Sequence, residues 1–137
     1  MKEAEKNEIR QWVGEVMPLY RQTEALVRSI AQIDSDGLPT DIENMSDILI
    51  YLPPILDRMK RMPKPKSSKL QHLQKDFKLM LNACIKSARY RLKVEKKWNR
   101  LWFSTAVFWT NLAISLQKAV SPEMERLFHN FNSGGVI

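Results

Sequence analysis

The segment that decides the fold runs from residue 58 to residue 100 and reads RMKRMPKPKSSKLQHLQKDFKLMLNACIKSARYRLKVEKKWNR. It carries fifteen Lys and Arg residues against two acidic residues. Beyond its proline-containing first part, apolar residues such as Leu73, Phe77 and Leu81 recur at the spacing of one helix face. The segment therefore predicts a long helix with a buried apolar face and dense positive charge beside it.

Charge is distributed unevenly along the chain. Residues 1–57 hold eleven acidic residues against five basic ones, whereas the residues after Arg100 are balanced. The net charge of +7 therefore arises from the central segment alone. Such a balance predicts an acidic binding partner, since net charge acts on association rather than on fold.

Composition indicates an all-α protein. The 137 residues are 44% hydrophobic, enough for one core, and only four glycines are available for tight turns. No run alternates between apolar and polar residues as a strand would. We predict an antiparallel four-helix-type bundle in one domain over residues 1–131, followed by a flexible tail over residues 132–137.

Prolines shape the first two predicted helices. Helix 1, at about residues 4–33, contains Pro18, and Gly14 four residues earlier favours a kink over a break. A capping box formed by Thr40 and Glu43 is predicted to open helix 2, over residues 41–61. Pro53 and Pro54 are predicted to split helix 2 into two short helices that meet at Leu52.

The second half of the chain predicts helix 3 at residues 68–95, helix 4 at 100–120 and a short terminal helix at 122–131. Ser67 or Ser68 is the expected N-cap of helix 3, and Ser121 with Pro122 is expected to restart the chain as the terminal helix. One continuous helix over residues 69–120 would be about 78 Å long, too long for a compact domain of this size. We therefore place a turn within residues 95–100, with one long rod in an extended dimer as the alternative.

The stretch from Leu101 to Gln117 contains no charged residue. At 17 residues it is shorter than the roughly 20 that a bilayer-spanning helix needs. It fits a central helix of the bundle, or a helix that buries a second face against another subunit. The single cysteine and a charged N-terminus without the apolar run of a secretory signal predict a cytoplasmic protein.

Three groups of residues are considered as metal or catalytic sites and rejected. Residues 32–43 resemble an EF-hand calcium loop, but Gln32 stands at the first ligand position and Pro39 at the eighth. The pairs His72 with Asp76 and Glu125 with His129 match surface ion pairs one helical turn apart.

The only cysteine, Cys84, lies on the apolar face of helix 3 and is predicted to be a core residue. We find no glycine-rich phosphate loop and no nucleophile motif. We therefore expect no enzyme activity, no cofactor and no metal.

The remaining candidate is a row of cations at three- and four-residue steps along helix 3 and the turn after it, here called the basic row. Its members are Lys75, Lys78, Lys86, Arg89, Lys93, Lys96, Lys97 and Arg100. Such a row matches a nucleic-acid phosphate backbone, which accepts sequence-independent contacts from Lys and Arg. We predict a non-catalytic module that binds nucleic acid or a nucleoprotein assembly.

The predicted contacts to nucleic acid or to an acidic protein surface are the last six members of the row together with Lys64 and Lys66 in the linker before helix 3. The alternative is a structural, oligomerising or adaptor subunit that binds an acidic protein or a further copy through Trp98, Trp102 and Trp109. Neutralisation of the row by the acidic residues of helix 1 is also possible on sequence grounds.

Overall fold

The computed structural model describes residues 2–132, which form four helices. They are α1 (Glu3–Val27, extended by a 3-10 turn over Arg28–Ala31), α2 (Ile42–Arg61), α3 (Ser68–Lys96) and α4 (Arg100–Asn132). No strand occurs in this part of the chain, and the predicted all-α bundle is confirmed.

Contacts between α3 and α4 show that the two helices run antiparallel. The hydroxyl groups of Ser87 and Thr110 share a buried hydrogen bond of 2.7 Å. One turn earlier on α3, the Cys84 sulfur lies 3.9 Å from the Gln117 amide nitrogen, two turns later on α4. Residues earlier in α3 therefore contact residues later in α4, so the two helices form a long antiparallel hairpin.

The centre of the core joins three helices through aromatic rings. Tyr20 of α1 lies edge to face against Phe77 of α3 and Phe128 of α4, with ring centroids 5.7 Å apart in both pairs. All three side chains are buried. The Tyr20 hydroxyl donates a 2.7 Å hydrogen bond to Ser121, which satisfies the one polar group of the cluster. Burial raises the pKa of Tyr20 above its ordinary value of 10.0.

Helix α1 is not broken at Pro18, as predicted, and its apolar residues keep one buried face on both sides of the proline. Trp12 on that face donates a 2.9 Å hydrogen bond from its indole nitrogen to the buried Gln74 of α3.

Helix α2 contradicts the predicted split at Leu52, since it runs without interruption through Pro53 and Pro54. Its buried residues, Met45, Ile48, Leu52, Ile55, Leu56 and Met59, form one continuous stripe across the prolines. The carbonyl that Pro54 leaves unpaired belongs to Ile50, which is exposed, so water can hydrogen-bond to it. Packing of the stripe therefore outweighs the local penalty of the two prolines.

The loop between α1 and α2 is held by its own polar groups. The Asp34 carboxylate accepts hydrogen bonds from the backbone N–H groups of Asp36 and Leu38, at 2.8 and 3.1 Å. Gly37 has a φ of 86°, a conformation that favours glycine.

The predicted capping box of α2 is wrong. Asp41, and not Thr40, caps the helix by accepting a 3.0 Å hydrogen bond from the backbone N–H of Asn44. The Thr40 hydroxyl instead donates to the Gln32 carbonyl across the loop. Aspartate is as good an N-cap as threonine, so sequence rules alone do not separate the two.

The predicted break between helices 3 and 4 is confirmed, at residues 97–99. Asn99 makes the turn possible without glycine, because its side-chain oxygen accepts from the backbone N–H groups of Leu101 and Trp102, at 2.9 and 3.1 Å. At the other end of α3, Ser67 is the N-cap, as predicted.

Helix α4 is longer than predicted, and no separate terminal helix exists in the described residues. It passes through Pro122, whose missing hydrogen bond falls on the carbonyl of the exposed Lys118. Ser121 does not cap a new helix but accepts the hydrogen bond from Tyr20. Asn132 is the last residue of α4, and residues 133–137 of the predicted tail lie outside the described part of the chain.

Within residues 2–132, no helix has both the length and the hydropathy needed to cross a bilayer. The inward positions of the uncharged stretch, Ala106, Thr110 and Ala113, are buried against the rest of the bundle. The stretch is therefore a bundle helix with one face inside and one face outside.

Glu8 of α1 ties the linker before α3 to the bundle, because its carboxylate accepts 3.0 Å hydrogen bonds from the backbone N–H groups of Lys66 and Ser67. These bonds hold the pKa of Glu8 below its ordinary value of 4.5. A lowered pKa in the folded state stabilises the fold above the carboxyl's unfolded pKa, and this stabilisation is lost as the pH falls through the folded pKa.

We predict that Glu8→Gln lowers the melting temperature at pH 7, where the native carboxylate is charged. The difference from the wild-type protein should shrink as the pH falls below about 4, where an ordinary glutamate is protonated. Thermal unfolding followed by circular dichroism across pH 3 to 8 measures both. A difference that is constant with pH would contradict the charged contact.

Candidate functional site

Helix α3 is buried over most of its circumference. Its buried positions are Leu70, Leu73, Gln74, Phe77, Met80, Leu81, Ala83, Cys84, Ile85, Ser87 and Ala88, which contact the core between α2 and α4. None of the buried positions is Lys or Arg. The cations of α3 other than Lys69 and Arg91 therefore lie on the remaining strip.

The basic row lies along this strip. Five of its members are exposed, and Lys78, Lys86 and Lys93 are half-buried. From Lys75 to Lys96 the row spans about 32 Å at 1.5 Å per residue. The row continues through Lys97 in the turn to Arg100, the first residue of α4. Its last cations therefore lie together at the end of the hairpin.

None of the row's cations forms an ion pair with any residue of the described chain. The ion pairs there are Arg10 with Glu3, Arg21 with Glu24 and with Glu125, Arg91 with Glu95, and Arg126 with Glu123. The acidic residues of α1 make no ion pair with α3, and Glu8 accepts from the linker backbone. The row's positive charge is therefore available to a partner.

Arg91 is a cation of α3 that does not belong to the basic row. Its guanidinium donates a 2.7 Å hydrogen bond to the Pro39 carbonyl in the α1–α2 loop and a 3.1 Å hydrogen bond to the Glu95 carboxylate. It therefore holds the loop against α3 and is not a free cation.

Lys93 is held between two aromatic rings. Its Nζ atom lies 5.0 Å from the ring centroid of Tyr90 and 5.4 Å from that of Trp102. Cation–π contacts of this kind order a long side chain without neutralising its charge. Tyr90 was not identified from the sequence, although its position three residues before Lys93 on the same helix face is a usable signal.

The structure brings together six of the eight predicted binding cations. Lys86, Arg89, Lys93, Lys96, Lys97 and Arg100 share the exposed strip and the adjoining turn. Lys64 and Lys66 precede α3, whose 29 residues extend about 43 Å. The linker therefore lies at the far end of the helix from the turn.

The two linker lysines lie in different surroundings. Lys64 lines an open groove of ≈ 410 Å³ with His72, Lys75 and Lys78, and so extends the basic row at its beginning. Lys66 is exposed, and its backbone N–H donates to the Glu8 carboxylate. Lys64 is therefore the linker lysine that shares a groove with members of the row.

The three tryptophans predicted as an interface are not equally accessible. Trp98, in the turn, is 66% exposed. Trp102 is half-buried, and its ring lies against Lys93. Trp109 packs against the core, and its ring lies edge to face with that of Phe108, with the ring centroids 5.2 Å apart. The large apolar side chains that α4 exposes are instead Leu101, Phe108 and Leu112.

Residues 2–132 contain no group of three His, Cys, Asp or Glu side chains placed to hold a metal ion. In the loop that resembles an EF-hand, the Asp34 carboxylate already accepts two backbone hydrogen bonds. We assign no chemistry to this loop beyond its hydrogen bonding.

Comparison of the chain with protein-family models, with curated proteins and with solved structures finds no match. The functional argument therefore rests on the surface itself, because a fold class alone does not specify a function.

Burial raises the pKa of the Cys84 thiol to about 12. The thiolate is the reactive form, so we predict that Cys84 in the folded protein reacts negligibly with a thiol reagent at pH 8 and reacts fully after unfolding in guanidinium chloride. Absorbance of a chromogenic disulfide reagent measures both rates. Rapid labelling of the native protein would contradict the burial of this thiol.

Proposed function

We propose that this protein is a non-catalytic module that binds the phosphate backbone of nucleic acid, alone or within a nucleoprotein assembly, along the basic row of α3. The observation that carries the proposal is a row of cations about 32 Å long with no ion pair in the described chain. A phosphate polymer offers negative charge at regular spacing, and release of its counterions favours binding to such a row.

The contacts are assigned by position. Arg89, Lys96, Lys97 and Arg100 are exposed and can reach phosphate oxygens. Lys93 is oriented by its two aromatic neighbours, so less side-chain entropy is lost when it binds. Because these contacts go to the backbone, we expect affinity with little sequence preference. The buried, protonated thiol of Cys84 is compatible with a cytoplasmic location, which we propose with the function.

The test of the proposal is charge reversal in the row. Lys93→Glu, Lys96→Glu and Lys97→Glu, combined, should weaken binding to labelled RNA and DNA by on the order of a hundredfold or more at low salt, because three contacts become repulsive. Fluorescence anisotropy with single- and double-stranded forms of each nucleic acid measures the affinity.

The matched control reverses the same number of charges outside the row, at Lys2, Lys6 and Arg28 of the α1 segment. This control changes the net charge by the same amount. If the row is the contact surface, the control should lose less than about tenfold in affinity for nucleic acid. Equal losses in the two variants would mean that net charge, and not the row, determines binding.

An acidic protein surface is the second candidate partner. The observation that favours it is Trp98, which is 66% exposed among Lys96, Lys97 and Arg100, since exposed tryptophan beside cations is typical of protein interfaces. Under this alternative the protein binds none of the four nucleic-acid forms, and the charge-reversed variant loses its protein partner instead.

A further inference from the structure

The outward side of α4 forms a continuous exposed strip, here called the α4 outer face. It consists of Leu101, Ser104, Phe108, Asn111, Leu112 and Ser115, all of them exposed. Leu101 is 72% exposed and Phe108 is 59% exposed, high fractions for large apolar side chains. At 100° per residue the six positions lie within about 60° of Phe108, so they share one side of the helix.

This face contains no charge over the 17 residues from Leu101 to Gln117. Ordinary solvent-facing helix surfaces carry charged residues, and contiguous exposed apolar surface is usually covered by a partner. The Phe108 ring lies edge to face with Trp109, at 5.2 Å and 88°. The face is therefore apolar at its centre.

The exposed area is close to what a weak dimer needs. The six side chains of the face, apolar and polar together, expose on the order of 450 Å² per protomer, taking roughly 150–250 Å² for a fully exposed large side chain. Two such faces would bury about 900 Å², in the range of weak and transient interfaces. We therefore expect a weak association.

We propose that the α4 outer face binds the same face of a second copy of the chain, with the two helices antiparallel and Phe108 at the two-fold axis. In this arrangement Leu101 lies opposite the small Ser115 of the second copy, and the two Phe108 rings meet. Ser104 lies near Asn111 of the second copy, so the polar groups of the face can hydrogen-bond across the interface. The face is thus complementary to itself in size and in polarity.

Charge selects the antiparallel arrangement over the parallel one. A parallel pair would bring Lys96, Lys97 and Arg100 of the two copies side by side. In the antiparallel pair the two Arg100 residues are separated by about 24 Å along the helix axes, three times the Debye length of about 8 Å at physiological salt. The part of the basic row on α3, from Lys75 to Lys96, lies outside the α4 outer face, so dimerisation leaves it accessible to phosphate.

Disulfide cross-linking tests the arrangement, because only a residue at the two-fold axis meets its own counterpart. We expect Phe108→Cys to form an intermolecular disulfide at least tenfold faster than Leu101→Cys under mild oxidation in dilute solution. The native Cys84 is buried and gives no background. Gln22→Cys, an exposed position on α1, gives the rate of random collision. Circular dichroism checks that each variant is folded.

The outcomes separate the possible occupants. Equal cross-linking of Phe108→Cys and Leu101→Cys would contradict the antiparallel geometry, and a wild-type protein that stays monomeric at about 100 µM would overturn the dimer itself. Sedimentation should show a wild-type dimer at about 100 µM and a monomeric Phe108→Glu variant, with at least a tenfold weaker association.

A lipid surface is the competing occupant and is tested in parallel with vesicles of phosphatidylserine and phosphatidylcholine. A wild-type chain that is monomeric in solution and binds these vesicles through Phe108 would overturn the proposal in favour of the membrane. The Phe108→Glu dimerisation variant should keep its affinity for nucleic acid, so failure of the dimer is distinguishable from failure of the proposed function.

Discussion

The cost of burying an unpaired cation determines where this protein carries its charge. An ionised ammonium or guanidinium group transferred to the interior without a partner costs several kcal/mol or more. Helix α3 contacts both α2 and α4 and buries eleven positions, so most of its cations lie on the one strip that remains exposed. Close packing of the bundle therefore produces the basic row, and the function that we propose follows from that packing.

The positive surface at the end of the hairpin also depends on the turn at residues 97–99. Asn99 supplies two hydrogen bonds that a glycine-free turn needs, and α4 then returns along α3 with Trp102 against Lys93. This return places the last cations of the row beside exposed Trp98. Two charged side chains of α1 contact the linker and α4 instead: Glu8 accepts from the linker backbone, and Arg21 pairs with Glu125.

Local patterns predicted the elements that depend on local interactions, such as the serine cap of α3, the helical spacing of its cations and the turn near Asn99. They failed where distant packing decides. Continuity through Pro54 and Pro122 depends on buried stripes that pack in the core, and the carbonyls that lose a hydrogen bond belong to exposed residues, Ile50 and Lys118. In the candidate site, the contact of Lys66 with Glu8 joins residues 58 positions apart, and the exposure of Phe108 depends on which side of α4 faces the core. Neither is encoded in a short window of sequence.

The most direct test of the central claim is the affinity for nucleic acid measured between about 50 and 200 mM salt. If the row contacts phosphates, the logarithm of the association constant falls linearly with the logarithm of the salt concentration. With six cations engaged, the slope should be about −5 on duplex DNA and about −4 on a single strand, from roughly 0.9 and 0.7 per phosphate. No binding at the lowest salt, or a slope near zero, would contradict the account.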